Sequence, residues 1–150
     1  MKIEEFSQIK IIYMRRIGAY GTENVELMES FKNWLNVNNL FNKDSVILGI
    51  AQDNPALIDS ENCRYDVGLI VPEFDTFAEL DISLGNIEDG KYAIFTLEHT
   101  EEAINKAWQS IPINIPKIGC SIDGTRPILE RYSVDMVDNH LCEICVPIEQ

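Results

Sequence analysis

Glu130 is a carboxylate set in the middle of an apolar run. The stretch 126–136 alternates with the period of a β-strand. Ile128, Glu130, Tyr132, Val134 and Met136 share one face, and Leu129, Arg131, Ser133 and Asp135 share the other. The first face is the more apolar and is expected to point inward. A carboxylate there is costly unless it is paired with an internal Arg or Lys, protonated, or facing a ligand cation. If it faces a pocket, two chemistries are open. Ionised, it holds a cation in a low-dielectric site. With its pKa raised by burial, it moves a proton near neutral pH as a general base or acid, for example by activating a water.

Four aromatic residues are candidate pocket walls. Tyr132 shares the Glu130 face, where it stacks on a ligand, donates to the carboxylate, or packs as a core tyrosine. Trp108 lies on the apolar stripe of a predicted helix, and its ring either holds a planar cation or packs on a sheet. Tyr20 sits on the turn Gly18-Ala19-Tyr20-Gly21, a poor place for a core residue and a good one for a pocket mouth. Tyr65 alternates with Val67, Leu69 and Val71, so it is either core or pocket. Other chemistry finds little support. Cys142 and Cys145 form a CxxC, but in a stretch that alternates like a strand, where residues three apart face opposite ways. There is no second CxxC, so neither a zinc nor a redox site is expected. His99 and His140 have no nucleophile or paired ligands in a recognisable order and read as surface or capping residues. No metal and no cofactor are expected.

Positioning these residues takes an α+β chain. The predicted strands are 9–16, 46–51, 64–71, 80–84, 92–98, 126–136 and 142–148. A helix follows Thr22, an N-cap candidate, with Leu27, Met28, Phe31, Trp34 and Leu35 on one stripe. A second follows Thr100, with Ile104, Ala107, Trp108 and Ile111 on its stripe and an expected stop at Pro112. Glu88-Asp89-Gly90-Lys91 reads as a turn. Each half thus runs strand, helix, strand, strand. Each closes on Val-Pro, at Val71-Pro72 and Val146-Pro147, and each helix carries a tryptophan, Trp34 or Trp108. One domain is expected, built from two tandem pseudo-symmetric modules of about 1–78 and 79–150. Their antiparallel sheets would lie side by side with the helices on one face and a ligand groove between the halves.

The 150 residues suffice for one domain with a sizeable core, and 45% of them are hydrophobic. The formal net charge of -13 argues against direct nucleic-acid binding and suits attraction of cationic ligands. No run reaches the roughly 18 apolar residues of a membrane span, and the N-terminus has no signal-peptide pattern. A cytoplasmic protein without membrane contact is expected.

Four segments carry a resemblance to a known family. Arg15-Arg16-Ile17-Gly18-Ala19-Tyr20, Cys63-Arg64-Tyr65-Asp66-Val67 and Gly90-Lys91-Tyr92-Ala93-Ile94-Phe95 are three. The fourth is Arg126-Pro127-Ile128-Leu129-Glu130-Arg131-Tyr132 followed by Ile144-Cys145-Val146-Pro147-Ile148. In order and spacing the set resembles the GyrI-like small-molecule-binding domains, also called AraC effector-binding or multidrug-binding domains. Two departures are visible: Asp89 stands where the pattern has the first of two glycines, and Thr100 where it has a glycine after the histidine.

The resemblance implies a duplicated fold around a shared pocket that takes bulky, often cationic, aromatic molecules, with Glu130 matching the family's pocket glutamate. It implies sequestration or sensing of drugs or toxins by a stand-alone form without a DNA-binding region. Two other roles occur among similar proteins. One is hydrolysis of the cyclopropane ring of DNA-alkylating natural products, with Glu130 activating water and Tyr20 or Tyr132 polarising the conjugated carbonyl. The other is an acidic gyrase inhibitor. A separately encoded regulator or gyrase is therefore a conceivable protein partner.

Overall fold

The computed structural model describes residues 1–149. The chain begins with β1 (Lys2–Phe6), followed by the isoleucine-rich β2 (Ile9–Ile17). Helix α1 (Thr22–Val37) leads to β3 (Val46–Ala51) and β4 (Arg64–Val71). The second half opens with β5 (Ser83–Ile87) and β6 (Gly90–Glu98), then α2 (Glu101–Lys117). β7 (Ile128–Ser133), the short α3 (Val134–Asp138) and β8 (Leu141–Pro147) complete it. All eight strands join one antiparallel sheet in the order β1-β6-β8-β7-β3-β4-β2-β5.

The two halves meet at the central pair β3–β7, where Gly49 lies opposite Glu130 and Ile47 opposite Tyr132. Residues opposite one another in a sheet share a face, so the register sorts the molecule into two sides. Ile47, Tyr65, Val67 and Leu69 pack with Phe31 and Leu35 of α1. Ala93, Ile144 and Val146 pack with Ile111 and Ile115 of α2. Ile144 pairs with Glu130, and Tyr65 with Ala51 two residues beyond Gly49, so both helices cover the face that carries Glu130. The opposite face has a core made only of strand residues, among them Phe6, Ile11, Ile50, Tyr92, Leu129 and Cys145. A sheet bent over itself is what buries such a face without a helix.

Several expectations change. β1 was not anticipated; it is an edge strand pairing only with β6, and its Lys2, Glu4 and Glu5 blur the apolar alternation. The strand expected at 80–84 forms at Ser83–Ile87. Glu88-Asp89-Gly90-Lys91, expected to be a turn, is not one: Glu88 and Asp89 link β5 to β6, which begins at Gly90, and the two strands pair with different partners. Thr22 is the first residue of α1 rather than its cap, a position held by Gly21. Thr100 does cap α2, its hydroxyl accepting from the Ala103 N–H at 3.1 Å.

Pro112 does not stop α2, which runs on to Lys117 with Pro112 and Pro116 inside it. Each proline removes an intrahelical N–H, but Ile111 and Ile115, one turn apart, stay buried on the sheet and hold the last turns in place. The strand expected over 126–136 ends at Ser133. The Val134 N–H bonds to the Ser45 carbonyl where pairing with β3 runs out, and α3 turns the chain back. Val134 and Met136 therefore leave the Glu130 face. His140, at φ 61°, completes the reversal into β8.

Candidate functional site

β7 presents Glu130 and Tyr132 toward the helices by simple alternation, and β4 brings Tyr65 to the same face from the first half. The Tyr65 hydroxyl donates to the Glu130 carboxylate at 3.1 Å. The Trp108 indole of α2 and the Tyr132 phenol lie near the same group and also favour its charged form. Every donor is neutral. Among the described residues no lysine or arginine makes an ion pair with Glu130. Burial raises the Glu130 pKa, and the three aromatic donors only partly offset this by favouring the charged form. The phenols of Tyr65 and Tyr132 are pushed well above their usual range, first by burial and then by the Glu130 charge, so they remain neutral donors.

Glu130 lies deep in the fold yet keeps some contact with solvent, because it forms part of the floor of a groove of about 1520 Å³. Tyr20, Met28 and Lys32 line it from the first half, and Trp108, Ile104, His99 and Ile128 from the second. All five expected residues, Tyr20, Tyr65, Trp108, Glu130 and Tyr132, reach this one groove. Tyr20 differs in role from the expectation. Its ring packs edge-on to Tyr65 at 6.0 Å between centroids, but its hydroxyl is engaged by main chain. It lies 2.6 Å from the Arg64 carbonyl and accepts from the Asp53 N–H at 3.2 Å. That hydroxyl is not free to polarise a ligand carbonyl.

Three contributors escaped the sequence reading. Gly49 faces Glu130 across β3–β7, and a Cβ there would collide with the Tyr65 hydroxyl and come within 2.9 Å of the Glu130 carboxylate. Only glycine leaves room for the Tyr65–Glu130 bond. A lone glycine inside the strand Val46–Ala51 is the sequence signal of such a close approach. His99, assigned to the surface, is exposed but sets its ring against Tyr132, 5.4 Å between centroids, on the groove wall. Asp53 and Arg64 form a two-pronged pair, at 2.8 and 2.9 Å, that fixes the loop after β3 to the start of β4. Arg64 holds the Asp53 carboxyl down at about 2.

Arg126, also on the lining, is likewise engaged. It pairs with Asp123 at 2.9 Å, donates to the Ile148 carbonyl, and lies over the Tyr92 ring. It fills the space beside Gly90, whose φ of 138° and lack of Cβ both suit glycine alone. Cys142 and Cys145 point to opposite faces of β8, Cys145 into the strand-only core. Among the described residues no group of three His, Cys, Asp or Glu side chains is placed to hold a metal ion. Among the described residues no helix is long and apolar enough to cross a membrane.

A large groove with an apolar and aromatic lining and one deep carboxylate defines a small-molecule-binding domain. The chain belongs to the family described as the GyrI-like small molecule binding domain, matched over residues 1–149. It is 47% identical over 148 residues to the "SPbeta prophage-derived putative transcriptional regulator YosT" of Bacillus subtilis (strain 168), covering 98% of this chain and 97% of that one. Two solved structures share the fold at 13% identity. SAV2435 bound to tetraphenylphosphonium matches with a TM-score of 0.65 over 99% of this chain and 93% of its own. The EcmrR C-terminal domain matches with 0.74 over 99% and 96%.

Proposed function

We propose that the protein captures bulky aromatic cations in the groove, with Glu130 as the counter-charge and Tyr20, Tyr65, Trp108 and Tyr132 as walls, for sequestration or sensing. One observation carries this reading: the Glu130 carboxylate lies deep, surrounded by aromatic donors and without an internal cation. An aromatic cation supplies what the site lacks, charge neutralisation and ring-face contact. The tetraphenylphosphonium held by SAV2435 has this chemistry. The strand order supports placing the groove between two tandem modules, since exchanging β1–β4 with β5–β8 leaves it unchanged on reversal. Calorimetric titration with tetraphenylphosphonium tests the reading. Wild type should bind it and Glu130→Gln should bind at least tenfold more weakly; equal affinities would remove Glu130 from the mechanism.

A second reading uses the same groove for hydrolysis. A carboxylate with a raised pKa can take a proton from water as that water attacks a cyclopropane carbon; the ring C–C bond breaks, and its electrons pass to the conjugated carbonyl oxygen, which accepts a proton from a phenol. Tyr132, and not Tyr20, is then the donor to the substrate carbonyl. Incubation with a cyclopropane-bearing alkylator separates the readings. A water-added product that disappears in Glu130→Gln supports hydrolysis, and binding without product supports capture.

A further inference from the structure

Among the charged groups on the groove lining, which also include Glu29, Glu88 and Glu101, two of opposite sign stand apart. Glu130 is on its floor, and Lys32 of α1 is half-buried in its wall, one turn after Met28. Of the three lysines and arginines on the lining, Arg64 is held by Asp53 and Arg126 by Asp123. Lys32 makes no ion pair among the described residues. Glu29, one turn earlier on the same wall, does not bridge to it, and neither does Glu101 across the groove. Aromatic rings connect the two ends. Tyr132 neighbours Glu130 on β7's inner face, His99 packs on Tyr132, and the His99 pKa is lowered by burial and then by the nearby Lys32 charge. Burial and the neighbouring cation thus both favour the neutral His99 ring. The volume of about 1520 Å³ exceeds the roughly 300–1,000 Å³ of a drug-sized site, and Glu130 and Lys32 both line this one continuous space.

We propose that the groove selects zwitterionic aromatic ligands: a cationic ring system over Glu130, and an anionic substituent, a carboxylate or sulfonate, held by Lys32 with His99 beside it. This rests on the reading of the groove as an aromatic-cation site and specifies the ligand class. A simple cation satisfies the floor and leaves Lys32 repelling it; a zwitterion satisfies both ends.

The test uses one xanthene dye in two forms, the zwitterionic free acid and its cationic ethyl ester, with identical ring systems. Fluorescence anisotropy at neutral pH and low salt compares wild type, Lys32→Met and Glu130→Gln. Methionine is as good a helix former as lysine, so α1 is retained. Wild type should favour the acid over the ester by about fivefold, the scale of a partly exposed ion pair. Lys32→Met should weaken the acid and tighten the ester, opposite signs that a general structural defect does not produce. Glu130→Gln should weaken both. An acid-to-ester ratio that is the same in wild type and Lys32→Met overturns the zwitterion proposal while leaving the cation site standing, provided Glu130→Gln weakens both dyes. Failure of both dyes to bind wild type overturns the cation site and this proposal together.

Discussion

Glu130 and Arg131 are neighbours on β7 and point to opposite faces of the sheet. On the helix-free face, Arg131 bridges Glu143 of β8 at 2.9 Å and Glu4 of β1 at 3.0 and 3.1 Å. Asp66 on that face is likewise held by Arg15, at 2.6 and 2.9 Å, and by Gln52 at 3.0 Å. Asp66 and Glu143 are almost fully buried, and each has a guanidinium. Glu130, on the helix-covered face, has only neutral partners and an open groove. Burial alone therefore does not single out a functional carboxylate in this protein. The missing cation is what sets Glu130 apart and supports its proposed role.

The largest effect should come from breaking the paired side. Arg131→Met leaves Glu4 and Glu143 without their cation and should cost about 3–5 kcal/mol, the usual penalty for removing one partner of a buried pair. Urea unfolding measures it; a loss under 1 kcal/mol would erase the contrast between the faces. Gly49→Ala should come next. Its Cβ displaces the Tyr65 hydroxyl from Glu130, costing about 2 kcal/mol as an overpacked core substitution does and loosening tetraphenylphosphonium binding. Full stability together with full affinity would show that the Tyr65–Glu130 bond does not matter.

Glu130→Gln should do the reverse of Arg131→Met: weaken the cation at least tenfold, about 1.4 kcal/mol, while raising stability slightly at neutral pH. The sign follows from linkage. The folded pKa of Glu130 is raised above its ordinary 4.5, so the folded state holds the proton more tightly than the unfolded chain. Its ionisation opposes folding. The penalty is absent below pH 4.5, grows through the raised folded pKa and is complete above it. The stability gain of the variant should therefore vanish in acid. Tetraphenylphosphonium binding should weaken as pH falls through a midpoint above 4.5, and the variant should lose that dependence. A wild-type affinity still unchanged at pH 4.5 would contradict this assignment of charge. The smallest effect belongs to Tyr20→Phe, which removes a hydroxyl bonded to main chain and should cost about 1 kcal/mol in unfolding.

Much of the scaffold was legible because local pattern and final environment agree. Val46–Ala51 and Arg64–Val71 form as read, since their short, largely apolar runs suit central strands buried on both faces. The Thr100 cap was legible because Thr followed by two glutamates satisfies the first turn locally. β1 and β5 were missed or shifted because each is an edge strand with polar residues, ordered by a partner from the other half of the chain. Pro112 misled because local helix chemistry was outweighed by burial of Ile111 and Ile115.

Sequence by itself determined that Glu130 and Tyr132 share a face of one strand and that Arg131 takes the other, because side-chain alternation is a property of the extended backbone. It also placed Trp108 on the inner stripe of its helix. Tertiary structure decided which carboxylates received a cation. Arg131 reaches Glu4 across 127 positions, and Tyr65 reaches Glu130 across 65. No local pattern encodes pairings of that separation. The first arises only when β1 joins the second half by pairing with β6, and the second only when β3–β7 pairing sets Gly49 opposite Glu130, whose charge stays open to the groove.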